Sequence, residues 1–255
     1  MKLRRAVSWW LAGLLAAGGP VASAGIYDHP KNLKVLPADV DSQELRRTMR
    51  GFAFDLGVNC ESCHVGESGK PLDTFDFAAD NKAMKATARL MLEMVSDING
   101  RQLARLDRSP DERVAVGCAT CHRGQAKPLL IGDALALAYR KGGAREAVAQ
   151  YRALKAGFFG SDSFDFTEQA RLEFARSLAA NDDVGGAIDF LEEVRGEYAA
   201  TFMTDLTLSD LHLAAGDRRQ AIAAMEAAQA AAPPALKEIL ERRLDGLKAG
   251  AAPGM

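Results

Sequence analysis

The sequence predicts an all-α protein in two parts, and three observations carry the prediction. Apolar residues recur at helical spacing in 41–57 and again in 80–99. After residue 130 a turn-then-helix pattern repeats three times. Two cysteine pairs of identical spacing, each followed by His, stand next to the two early helices. The chain has 255 residues, 48% apolar and 26% charged, with a net charge of −2. That profile belongs to a globular chain of one or two domains and excludes a disordered, collagen-like or multi-span membrane protein. It gives no electrostatic reason to expect nucleic acid as a partner.

The first segment reads as an address. Residues 1–24 begin with Lys2, Arg4 and Arg5, continue through an apolar stretch, and end in Ala22-Ser23-Ala24, the small-x-small cleavage pattern. Cleavage after Ala24 is expected, which takes the charge from −2 to −5 by removing those three cations. In a bacterial cell the exported chain would reside in the periplasm, with peripheral membrane association open to it.

Cys60-Glu61-Ser62-Cys63-His64 and Cys118-Ala119-Thr120-Cys121-His122 are both C-x-x-C-H, the attachment signature of c-type haem. Two thiols three residues apart can each form a thioether with one vinyl group of a single porphyrin, and the adjacent His becomes the proximal iron ligand. Rival readings use less of the sequence. Two disulfides, or a zinc site with four Cys ligands, would leave both His residues without a role, and export argues against a cytosolic thioredoxin-like pair. Two covalent haems take up all four Cys and two of the four His.

The sixth iron ligand decides what such a haem does. A Met there closes the site and raises the potential, whereas an open position permits ligand or peroxide chemistry. Upstream of the first motif, Asp41 with Glu44 suggests a capping box, Leu45, Met49, Phe52, Ala53 and Leu56 form one stripe, and Gly57 supplies a stop. Upstream of the second, a helix over 80–99 is expected, capped by Asp80 or Asn81 and ended by Gly100. It carries Met84, Met91 and Met94, and spacing alone does not choose between Met91 and Met94. His29 reads as a solvated residue near the new N-terminus, His212 as a helix-surface residue, and Arg123 and Lys127 as exposed cations able to reach haem propionates.

The pieces LRRTMRGFAFDLGVNCESCH (45–64), ARLMLEMVSDIN (88–99) and CATCHRGQAKPL (118–129) resemble the cytochrome c subunit of purple bacterial photosynthetic reaction centres. The resemblance runs from about 32 to 127. It implies units of a Met-bearing helix, a tight turn and C-x-x-C-H, with Met49 and Met91 as the axial ligands and Met94 as the alternative to Met91. The family subunit has four haems where this chain has two motifs. It also carries a His between the second helix and the second motif, where this chain has none.

Beyond Pro128 the chain becomes Ala-rich. GGAREAVAQYRAL (142–154), DDVGGAIDFLEEV (182–194) and GDRRQAIAAMEAA (216–228) align, each opening its helix with a small residue and an aliphatic one. The last two are offset by the tetratricopeptide period, and GFFGSDSFD (157–165) absorbs the longer first interval. A tetratricopeptide-like α-solenoid follows, closed by a capping helix over 236–250 with Leu236, Ile239, Leu240, Leu244 and Leu247 on one face. The expected organisation is a signal segment 1–24, a dihaem c-type cytochrome domain 25–130 with little regular structure beyond helices, and a helical repeat domain 131–250.

These features predict an exported dihaem electron carrier, not an enzyme, whose repeats dock a redox partner such as a membrane-bound reaction centre or respiratory complex. Dihaem peroxidase activity and an assembly or scaffold role are the alternatives. No Ser–His–Asp set, Walker loop or GxGxxG is visible.

Overall fold

The computed structural model describes residues 25–197 and 201–250, so the expected signal segment lies outside the described residues. Among them the regular structure is helical, apart from one bridge pairing Val65 with Asp76. They fall into two compact units, residues 25–51 with 59–105, and 52–58 with 106–250.

In the first unit, α1 (Ser42–Leu56) starts where expected. Asp41 Oδ1 accepts the backbone N–H groups of Gln43 and Glu44, both at 2.9 Å. Glu44 turns its carboxylate to Arg47. The apolar stripe of α1 is covered unevenly: Leu45 is buried, whereas Met49, Phe52, Ala53 and Leu56 remain half-exposed.

Helix α2 (Ala83–Asp97) differs from expectation at both ends. Asp80 does not cap it. Its carboxylate instead gathers Lys34 at 2.7 Å, Lys85 at 3.2 Å and Arg89 at 2.8 Å, and these cations hold it well below the usual carboxylate range. Gly100 does not stop the helix either, because it lacks a positive φ. The Ile98 N–H reaches the carbonyls of both Met94 and Val95, and the chain widens into a π turn over Ile98–Gln102.

In the second unit, the last turn of α1 closes in a Schellman arrangement. Val58 N–H bonds Ala53 O at 3.1 Å and Gly57 N–H bonds Phe54 O at 3.4 Å, with Gly57 at φ +62°. The short helix α3 (Cys118–His122) precedes α4 (Ile131–Phe158). Gly142 and Gly143 (φ +67°) break α4 into two helical arms, 131–141 and 144–158. Then follow α5 (Glu168–Ala180), α6 (Val184–Val194), α7 (Phe202–Ala214), α8 (Arg218–Ala231) and α9 (Pro234–Lys248). Helix α5 packs on α6, α7 on α8, and α8 on α9.

The three aligned segments become the second arm of α4, α6 and α8. Asp183 and Asp217 cap the latter two through the N–H groups of Gly186 (2.9 Å) and Gln220 (3.0 Å). Their shared small residue, Ala147, Ala187 and Ala221, has no exposed surface in any of the three. Each alanine is enclosed in the close-packed interior, where a larger side chain must displace its neighbours.

Two expectations in this half need correction. Ile239 is 52% exposed, because on α9 it lies to one side of the stripe of Leu240, Leu244 and Leu247. His212 is not a surface residue: it is half-buried, with Nε2 3.7 Å from the Glu192 carboxylate. The 157–165 stretch does more than absorb length. Phe158 and Phe164 pack at 5.2 Å, and Phe166 lies 6.1 Å from Tyr151, seating the loop in the helical core.

Two substitutions probe this packing. A Cβ at Gly57 would lie 2.1 Å from the Gly124 carbonyl oxygen on top of the left-handed strain. Gly57→Ala is therefore expected to cost at least about 2 kcal/mol and lower Tm by roughly 4–8 °C in circular dichroism melts. Ala187→Leu overpacks α6 and is expected to cost about 1–3 kcal/mol, read from the urea midpoint. An unchanged melt would overturn either account.

Candidate haem centres

The first motif is wound into a 3-10 turn, Cys60–Ser62, in which the N–H groups of Cys63 and His64 both reach Cys60 O, at 3.2 and 2.9 Å. That turn brings Cys60, Cys63 and His64 into one short coil. The chain then returns antiparallel: Asp76 N–H bonds Val65 O at 2.8 Å. The Phe75 ring presses on Gly66, where a Cβ would lie 2.4 Å away. Phe77 stacks on Phe75 at 5.7 Å and meets the His64 ring edge-on at 5.0 Å.

Lys85 fixes this returning segment. Its Nζ donates to the carbonyls of Phe77, Ala78 and Ala79 at 3.0, 3.3 and 2.8 Å, so one cation holds three consecutive acceptors. The His64 Nδ1 is buried and has no hydrogen-bond partner. Burial holds this imidazole below its ordinary pKa, Lys85 adds to the effect, and the Phe77 backbone opposes it.

The second motif occupies α3. Gly117 N–H bonds Thr120 Oγ1 at 3.0 Å and opens the helix. Arg123 (φ +48°) and Gly124 (φ +80°) both take left-handed backbone and end it. The turn is closed twice, by Gln125 N–H to His122 O at 2.9 Å and by His122 Nδ1 to Gln125 O at 2.8 Å. A carbonyl only accepts, so the proton of His122 must be on Nδ1. In the neutral imidazole that tautomer leaves the Nε2 lone pair bare, the form in which histidine binds a metal. Gly124 N–H reaches back to Asp55 O at 2.9 Å, at the end of α1.

All four cysteines are free thiols, with Cys60 and Cys121 exposed. Burial pushes the Cys63 and Cys118 thiols up, helped by Cys60 in the first pair and by Asp55 in the second. No group of three or more His, Cys, Asp or Glu among the described residues is arranged to hold a metal ion.

The candidate axial residues differ in cover. Met49 on α1 and Met91 on α2 are half-buried, whereas Met94 is 43% exposed. His29 and the cations Arg123 and Lys127 are exposed. Spacing alone did not reveal Lys85, Gln125 or Ser163, whose roles run through backbone carbonyls.

The surroundings suit a large apolar group. Among described residues 25–130 only Leu45 and Phe75 are buried, and the rest of the buried apolar residues lie beyond residue 130. Phe54, Leu90, Val114 and Leu130 are exposed by 59–73%. A stretch of that length without a side-chain core needs a staple or an apolar body supplied from elsewhere, and a covalently tethered porphyrin would be such a body.

A family model described as the photosynthetic reaction centre cytochrome C subunit matches residues 14–169. The photosynthetic reaction center cytochrome c subunit of Roseobacter denitrificans is 28% identical over 122 residues, covering 42% of this chain and 31% of that relative. The chain thus spans about a third of the length of the curated relative it matches. No solved structure matches. With well over half of its length matched, the chain belongs to the photosynthetic reaction centre cytochrome c subunit family and is a c-type cytochrome.

Proposed function

We propose that this protein is an exported dihaem carrier of single electrons. The observation that carries the reading is the His122–Gln125 bond, which fixes the tautomer a haem ligand needs beside two cysteines at tether spacing. Haem c supplies a one-electron couple with no proton transfer demanded of the protein. Cys60 and Cys63 tether the first haem and Cys118 and Cys121 the second, with His64 and His122 as proximal ligands. Met49 and Met91 complete the two iron sites. Met91 is preferred to Met94 because it is half-buried and stands at the family's ligand position in M-L-E-M.

In this reading the protein positions and shields. The Phe77 ring and the Lys85-held segment keep His64 from turning, and the Gln125 carbonyl does the same for His122. Methionine ligation excludes water from the iron, which favours electron transfer over peroxide chemistry. The cytochrome domain is 25–130. The helix pairs of 131–250 form a tetratricopeptide-like array that docks the redox partner, a membrane-bound reaction centre or respiratory complex. No described helix is long and apolar enough to cross a membrane. With residues 1–24 removed after Ala24, the protein works in the periplasm.

Pyridine haemochrome absorbance and intact mass are expected to give two haems per chain; one haem would overturn the reading. Met91→Ala is expected to turn one haem high-spin by magnetic circular dichroism, while Met94→Ala leaves both low-spin. The reverse outcome would move the ligand to Met94.

A further inference from the structure

The strongest unassigned feature is the contact between the loop after α4 and the turn after the second motif. Ser163 is buried at 8% exposure. Its hydroxyl donates to Arg123 O at 2.6 Å, and its own carbonyl accepts the Gln125 side-chain Nε2 at 2.6 Å. Ser163 thus grips the turn on both sides of Gly124. The grip is itself anchored, because Phe164 and Phe166 seat the neighbouring backbone in the helical core. Ser161, whose Oγ donates to Phe158 O at 2.7 Å, holds the loop from its other end.

We propose that Ser163 and Gln125 are positioning residues for His122, so that the helical half of the chain helps set the reduction potential of the second haem alone. This rests on the reading of His122 as a haem ligand. The chain of contacts is short: Ser163 fixes the Gln125 side chain and the Arg123 carbonyl, these fix the left-handed turn, and the turn aims the Gln125 carbonyl at His122 Nδ1. A well-aimed N–H···O=C bond makes the imidazole a stronger donor and favours the ferric state. Loosening it raises the potential. None of these contacts involves His64 or its turn, so the same loss leaves the first haem untouched.

The experiment is optical spectroelectrochemistry on the intact, haem-loaded protein, with melts alongside. Cys121→Ser, which leaves a single thioether and moves the band of that haem, assigns the two waves. In Ser163→Ala the second wave is expected to rise by a few-fold in the ratio of reduced to oxidised haem, with the first unmoved. Ser163→Thr keeps the hydroxyl and is expected to restore the original value. Gln125→Glu removes the Nε2 donor while keeping the shape, and stands in if Ser163→Ala does not fold; it is expected to move the same wave. Waves that stay put in both variants, or that shift together with a lowered Tm, overturn the proposal and leave Ser163 as a fold-stabilising residue only. An unsubstituted protein with a single haem, or with two haems and a ligand other than His122, overturns the underlying reading instead.

Discussion

Three consecutive residues, Arg123, Gly124 and Gln125, carry the contacts on which the second unit turns. The Arg123 carbonyl takes the Ser163 hydroxyl, the Gly124 N–H goes to the end of α1, and the Gln125 carbonyl takes His122. Such density is possible because two of the three adopt left-handed backbone, which rotates successive peptide groups outward instead of into a helix. Gly57 meets the Gly124 carbonyl with no side chain between them, so two glycines from distant parts of the chain share one close approach.

The two halves of the sequence are held together by different means. Beyond residue 130, cohesion comes from interdigitated side chains: Leu135, Tyr151, Phe174, Phe190 and Leu208 form one cluster, and Met225 with Leu240, Leu244 and Leu247 another. Before residue 130 it comes from ion pairs and from polar bonds to backbone. Asp80 collects three cations, Lys85 collects three carbonyls, and Asp76 Oδ1 caps the turn at Ala78 and Ala79. Polar ties of this kind fix a loop's shape without filling volume, which leaves the apolar faces of α1 and α2 available to a bound group.

What could be read from the residues depended on whether the responsible interaction was local. Asp41 as a cap, Gly57 as a stop and the helices of the three aligned segments were legible, because caps and periodic faces leave their mark within a few positions. The shared alanines were legible as a pattern, and the structure supplies the reason in their complete burial. Gly100 misled, since glycine ends a helix only where the backbone turns left-handed, and here a π turn carries the chain on. Asp80 misled because its carboxylate turns to Lys85 and Arg89 on α2 and to the distant Lys34 instead of to the backbone of the helix end. Ser163 and Lys85 were invisible: each acts on carbonyls, which every residue possesses, so no residue type on the receiving side betrays the contact.

The grip of Ser163 on Arg123 has a consequence for the order in which the molecule can be completed. A chain is made from its N-terminus, and the first motif closes its own turn using residues no further on than Lys85. The second motif lies earlier in the chain than the residue that steadies it by about forty positions. Its cysteines are therefore made about forty residues before the side chain that bonds the turn behind them.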